Sequence, residues 1–128
     1  MFDRIEFGAN TVSDRFGFIR SELAKLTPCD LLDVGAGEKP FQIFSTERGF
    51  NYESHDFEKY VGDEGNPGLQ NSGWENSGHE IVSDILDIPD KEYGAILLTE
   101  VLEHVPDPVA ALRKCSELLA TNGTLLVT

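Results

Sequence analysis

Two glycines and a set of spaced carboxylates are the residues most able to do chemistry. Gly35 and Gly37 flank Ala36 directly after the apolar run Leu31-Leu32-Asp33-Val34. Without a Cβ, such a turn lets backbone come close to a ligand, and a helix beginning just beyond would present amide N–H groups to a carboxylate. Asp33 can accept hydrogen bonds from the amides of that turn and hold its shape. Asp56 follows Gly35 by 21 residues, near the offset of roughly 20 at which an acid reaches ribose hydroxyls. Asp84 could accept from an adenine amino group, with Ile85 packed on the ring, or it could cap the turn that follows. Thr99 and Glu100 end a further apolar run.

These residues need elements to hold them. Phe16, Ile19, Leu23 and Leu26 form a helical stripe over 15–26, with Ser13 as a candidate cap and Pro28 as the stop. Residues 31–34 read as a buried strand. A second helix is expected over 39–48, with Pro40 in its first turn and Phe41 and Phe44 facing inward. Strands follow at 50–56, 81–84 and 95–99, the last with the unbroken apolar pattern of a parallel strand covered on both faces. Asp107-Pro108 opens a third helix with an inner stripe of Val109, Leu112, Cys115 and Leu119, Asn122-Gly123 stops it, and 124–128 is a fifth strand. Between strands 2 and 3 lies a Gly/Asn-rich loop over 57–80. A connection this long marks a functional loop or counts against the assignment.

Strands separated by helices predict one α/β domain over 1–128, with an N-terminal helical segment over 1–28 and a Rossmann-like, doubly wound parallel sheet of order 3-2-1-4-5. The order reverses between strands 1 and 4, where a crevice should open above the carboxyl ends. The glycine turn, Asp56, Asp84 and Thr99-Glu100 all fall on that one rim.

With the rim in place, the sequence resembles the class I S-adenosylmethionine (SAM)-dependent methyltransferases. Leu31-Leu32-Asp33-Val34-Gly35-Ala36-Gly37 is similar to their first motif, Asp56 to their ribose acid, and Ser83-Asp84-Ile85 to their adenine-contacting segment. Thr99-Glu100-Val101-Leu102-Glu103-His104-Val105 resembles the stretch after strand 4 in the type 11 group, which includes quinone and sugar methyltransferases. The likeness covers 31–128. It implies a SAM-binding enzyme that methylates a small acceptor such as a sugar or a quinone. The cofactor contacts it implies are Asp33, Gly35, Ala36, Gly37, Asp56, Asp84, Ile85, Thr99 and Glu100. No residue is assigned to catalysis, although His104 is a candidate base. Trp74 either covers the acceptor pocket or packs its own loop.

Two departures stand out. Lys39 occupies the place of the family's third motif glycine. The family's sixth and seventh strands have no counterpart after Thr128. A bare apolar strand 5 predicts a truncated piece of a longer protein, or an edge covered by a second chain such as a homodimer partner. The alternatives to the enzyme are a non-catalytic or partner-completed SAM-binding module and, with less support, an NAD-dependent oxidoreductase.

Composition sets the remaining expectations. Ten basic against 23 acidic residues give a net charge of −13, which repels phosphate backbones and anionic membranes and leaves a small molecule or a protein as partner. Cys29 and Cys115 lack metal or redox spacing and read as free core thiols. His55 and His79 lack a partner pattern and read as surface residues. No signal peptide is legible at the N-terminus, so the cytoplasm is the expected compartment and no metal is expected.

Overall fold

A computed structural model describes residues 12–57 and 78–128, with backbone only at Val12. Helix α1 (Val12–Lys25) leads into strand β1 (Asp30–Val34), helix α2 (Gln42–Glu47) and strand β2 (Asn51–Asp56). Strand β3 (Ile81–Val82), a 3-10 turn (Ile85–Asp87) and strand β4 (Tyr93–Leu98) follow. A second 3-10 turn (Leu102–His104), helix α3 (Pro108–Leu118) and strand β5 (Leu119–Val127) complete the order. Trp74 and most of the Gly/Asn-rich loop lie outside the described residues.

The sheet has the order β3-β2-β1-β4-β5 with every pair parallel, as the alternation of elements predicts. Parallel strands with both faces covered must be apolar on both sides. Leu31, Leu32, Ala95, Ile96, Leu97 and Leu98 are accordingly fully buried. Leu32, Val34, Ile96 and Leu98 pack with Ala111, Cys115 and Leu118 of α3. On the opposite face Leu31, Ala95 and Leu97 meet Ile19 and Leu23 of α1, with Phe41 and Phe50. Each such aliphatic side chain contributes roughly 1.5–3 kcal/mol on burial.

Several local expectations change. Ser13 lies within the first turn of α1 rather than capping it. Helix α2 begins only at Gln42, because Lys39 takes φ 57°, a left-handed conformation that no helix continues. The inner stripe of α3 is Ala111, Cys115 and Leu118, while Val109 is 63% exposed. That helix stops at Leu118, before Asn122-Gly123, and its Asp107 side chain caps the start by accepting from Ala110 N–H at 3.0 Å. Leu119 already pairs with Tyr93, and Thr124 pairs with Ala95. Asn122, at φ 62°, therefore lies in a bulge within the strand.

Candidate functional site

The cavity predicted at the sheet's switch point is present, with a volume of about 460 Å³. Gly35 and Gly37 border it from the turn after β1, and His55, Asp56 and Phe57 from the end of β2. Asp84, Ile85 and Leu86 follow β3, Glu100, Val101 and 104–107 follow β4, and Ala111 closes it from α3.

The turn after β1 shows why glycine is required. Gly35 has φ +67°, and a Cβ there would lie 2.6 Å from Val101 Cγ2. The amides of the turn do not point to Asp33. Gly35 N–H donates to His55 Nδ1 at 3.2 Å, Ala36 N–H to the His55 carbonyl at 2.8 Å, and Gly37 N–H to Asp56 Oδ2 at 2.7 Å. The end of β2 thus shapes the turn.

This corrects two readings. His55 is 1% exposed, because β2 is an interior strand covered on both faces. Its Nδ1 accepts from Gly35, so Nε2 carries the proton and donates to the Ser83 carbonyl at 2.8 Å. Burial holds its pKa below the usual imidazole value and keeps the ring neutral. His79 is not a surface side chain either. Its side chain is 2% exposed, with Nδ1 3.0 Å from Ser54 Oγ and Nε2 3.7 Å from Asp56 Oδ2.

Asp33 lies away from the cavity, fully buried on the α1 and α2 face. Tyr52 OH donates to its Oδ2 at 2.7 Å, and its Oδ1 has no partner among the described residues. Burial, opposed by the Tyr52 hydrogen bond and reinforced by nearby Asp56, pushes its pKa up to about 7. Ala36 and Thr99 are also buried and do not border the cavity, and neither does any residue of α2.

The other predicted residues reach the rim. Asp56 places Oδ1 2.6 Å from Phe57 N–H as well as accepting from Gly37. Asp84 caps the 3-10 turn by accepting from Leu86 N–H at 2.9 Å, and Ile85 is anchored in the core beneath it. Glu100 adopts φ 56°, takes Arg15 Nε and Thr128 Oγ1 on one carboxylate oxygen, and donates its N–H to the Thr128 carbonyl. His104 stands at the mouth, its side chain 76% exposed.

Sequence reasoning missed His55, His79, Arg15, Val101 and the apolar pair Phe57 and Leu86, which are 43% and 52% exposed beside the cavity. The usable signal for His55 was its position in an interior strand, where a polar side chain must find partners. Among the described residues no cluster of His, Cys, Asp or Glu could hold a metal, and no helix is long and apolar enough to cross a membrane. Cys29 and Cys115 are free thiols, Cys29 only half-buried.

Residues 11–128 match the family model described as a methyltransferase domain. A 35-residue stretch, 27% of the chain, is 49% identical to a ubiquinone biosynthesis O-methyltransferase of Xanthomonas campestris, covering 15% of that protein. The fold is similar to a 1,6-didemethyltoxoflavin-N1-methyltransferase of Burkholderia thailandensis, with TM-score 0.57, 18% identity, and coverage of 88% of this chain and 49% of that one. It is also similar to a coclaurine N-methyltransferase, with TM-score 0.62, 20% identity, and coverage of 96% and 37%. The chain spans roughly half the length, or less, of these two structures.

Proposed function

Because the chain belongs to the methyltransferase-domain family, matched over residues 11–128, we propose that its cavity binds SAM and serves methyl transfer to a small-molecule acceptor. The observation that carries this reading is the convergence of Gly35, Gly37, Asp56, Ile85 and Glu100 on one cavity at the switch point. Both solved relatives described above contain S-adenosylhomocysteine (SAH), the product of that cofactor. The residues present fit the group: a carboxylate at the rim for hydroxyls, apolar side chains for a flat ring, and a backbone turn free of Cβ atoms at both glycines.

When bound, SAM supplies an electrophilic methyl on a sulfonium. Asp56 would accept the ribose hydroxyls, while Phe57, Ile85 and Leu86 would flank the adenine, and the glycine turn and Glu100 would hold the amino-acid end. Residues 104–107 and Val101 form the bank nearest the acceptor and keep water from the reacting centre. The protein's contribution is therefore positioning and water exclusion, which needs no triad. Where the acceptor is a hydroxyl, His104 is the side chain able to take its proton. The stretch shared with the ubiquinone biosynthesis O-methyltransferase favours a quinone-like hydroxyl, and the net charge of −13 favours a small molecule over nucleic acid.

Calorimetric titration with SAM, SAH and NAD tests the reading. SAM and SAH should bind and NAD should not. Asp56→Ala should weaken SAM binding by about 1–3 kcal/mol, through the loss of a buried acceptor for hydroxyls. An unchanged affinity would remove the ribose assignment. Turnover of labelled SAM with candidate acceptors separates an enzyme from a binding module.

A further inference from the structure

Lys39 stands where a glycine would suit the backbone better. Its φ of 57° is left-handed, a conformation that strains any residue with a Cβ and that glycine adopts freely. The side chain must therefore account for a lysine at this position. Its Nζ donates to the Gly78 carbonyl at 2.9 Å, joining segments 39 residues apart. Its backbone N–H donates to the Ala36 carbonyl at 2.8 Å, and Gly37, between the two, donates to Asp56 Oδ2 at 2.7 Å. One tight turn thus carries the lysine at its end and the grip on Asp56 inside it.

Residues 78–80 are fixed in turn to β2, two residues before Asp56. Glu80 Oε2 accepts from Ser54 N–H at 2.7 Å and from Ser54 Oγ–H at 2.6 Å. Burial raises the Glu80 pKa, but the Ser54 hydrogen bonds, its own amide and the Lys39 charge outweigh this and hold it below the usual carboxylate value.

We propose that Lys39 is a positioning residue of the adenosyl site: its ammonium clasps the glycine turn to residues 78–80 and so holds Gly37 and Asp56 in the arrangement that receives the ligand. This rests on the reading of Asp56 as the ribose acceptor. Lys39 does not border the cavity, so its effect on a ligand passes through the turn. The clasp removes the freedom of two segments to part, which a ligand would otherwise have to order on binding.

Three substitutions separate the side chain from the backbone strain. Lys39→Met keeps the length and the strain but lacks the donor. Lys39→Arg keeps a cationic donor, and Lys39→Gly removes the strain together with the side chain. With the full chain and SAH as calorimetric probe, Lys39→Met and Lys39→Gly should each bind about 3–10-fold more weakly, the worth of one hydrogen bond. Lys39→Arg should stay within about twofold of wild type. In urea, Lys39→Gly should unfold at a higher midpoint than Lys39→Met, so that stability and affinity part company. A side chain serving only the fold would let affinity follow stability, with Lys39→Gly binding more tightly than Lys39→Met. That ordering overturns the proposal, as does Lys39→Met binding like wild type or Lys39→Arg binding as weakly as Lys39→Met.

Exchange of the Gly37 amide proton supplies a readout free of ligand. It should run about 3–10-fold faster in Lys39→Met than in wild type, the same hydrogen bond read as local opening. Equal rates overturn the clasp. Faster exchange in the variant of a protein that binds no SAH removes the adenosyl reading instead and leaves the clasp of the turn standing.

Discussion

The two banks of the cavity are built differently. On the β1–β2 bank, three consecutive amides of the glycine turn are held by His55 and Asp56, and those residues are braced in turn by Ser83, His79 and Phe57 N–H. On the β4 bank, Glu100 gathers Arg15 and Thr128, and beyond it a short 3-10 turn leaves His104 mostly exposed. The first bank is preorganised, so a ligand bound there costs little reordering. The second is open, with His104 exposed on its 3-10 turn.

The seam between the banks is the contact of Gly35 with Val101, and it offers the largest test. Gly35→Ala should destabilise the fold by about 4 kcal/mol, from a left-handed backbone and an overpacked contact. Adding Val101→Ala should recover part of that cost, so that the double variant is less destabilised than the sum of the single ones in urea unfolding. Strict additivity would mean that the banks do not press on each other.

Asp33, beneath the rigid bank, gives a smaller effect that varies with pH. Its buried carboxyl keeps a proton to about pH 7, well above the ordinary carboxylate range near 3.8. The stability this protonated form contributes is complete below about pH 4, declines as pH rises through the window, and is gone above about pH 7. Asp33→Asn removes the ionisation. The stability of the variant relative to wild type should therefore rise by about 4 kcal/mol between pH 4 and pH 8. A difference that stays constant with pH would show that Asp33 is not held protonated.

The smallest effect lies on the open bank. Arg15→Ala should cost only about 0.5–1 kcal/mol, since the pair with Glu100 is part-exposed, and added salt should shrink the difference. A large loss insensitive to salt would make this bank as fixed as the other and undo the contrast.

Much of the architecture was legible in the sequence, since period and punctuation are local properties. The apolar runs at 31–34 and 95–99 became interior parallel strands, and the glycines fell at the turn. Element ends were less legible. Lys39 in a left-handed conformation delayed α2, and pairing of Leu119 with Tyr93 ended α3 ahead of Asn122-Gly123. A strand partner decided the second case, and no local signal encodes a partner.

The sequence by itself determined the sheet order, the rim on which the glycine turn, Asp56, Asp84 and Glu100 stand, and the negative charge. These follow from hydrophobic periodicity, chain order and residue type. Only the tertiary structure decided which groups hold which: that Asp33 turns into the core toward Tyr52, that His55 carries the turn, and that His79 comes beside Asp56. Hydrogen bonds between residues about 20 apart depend on register between strands and on the face each side chain takes, and both are fixed only when the sheet is assembled.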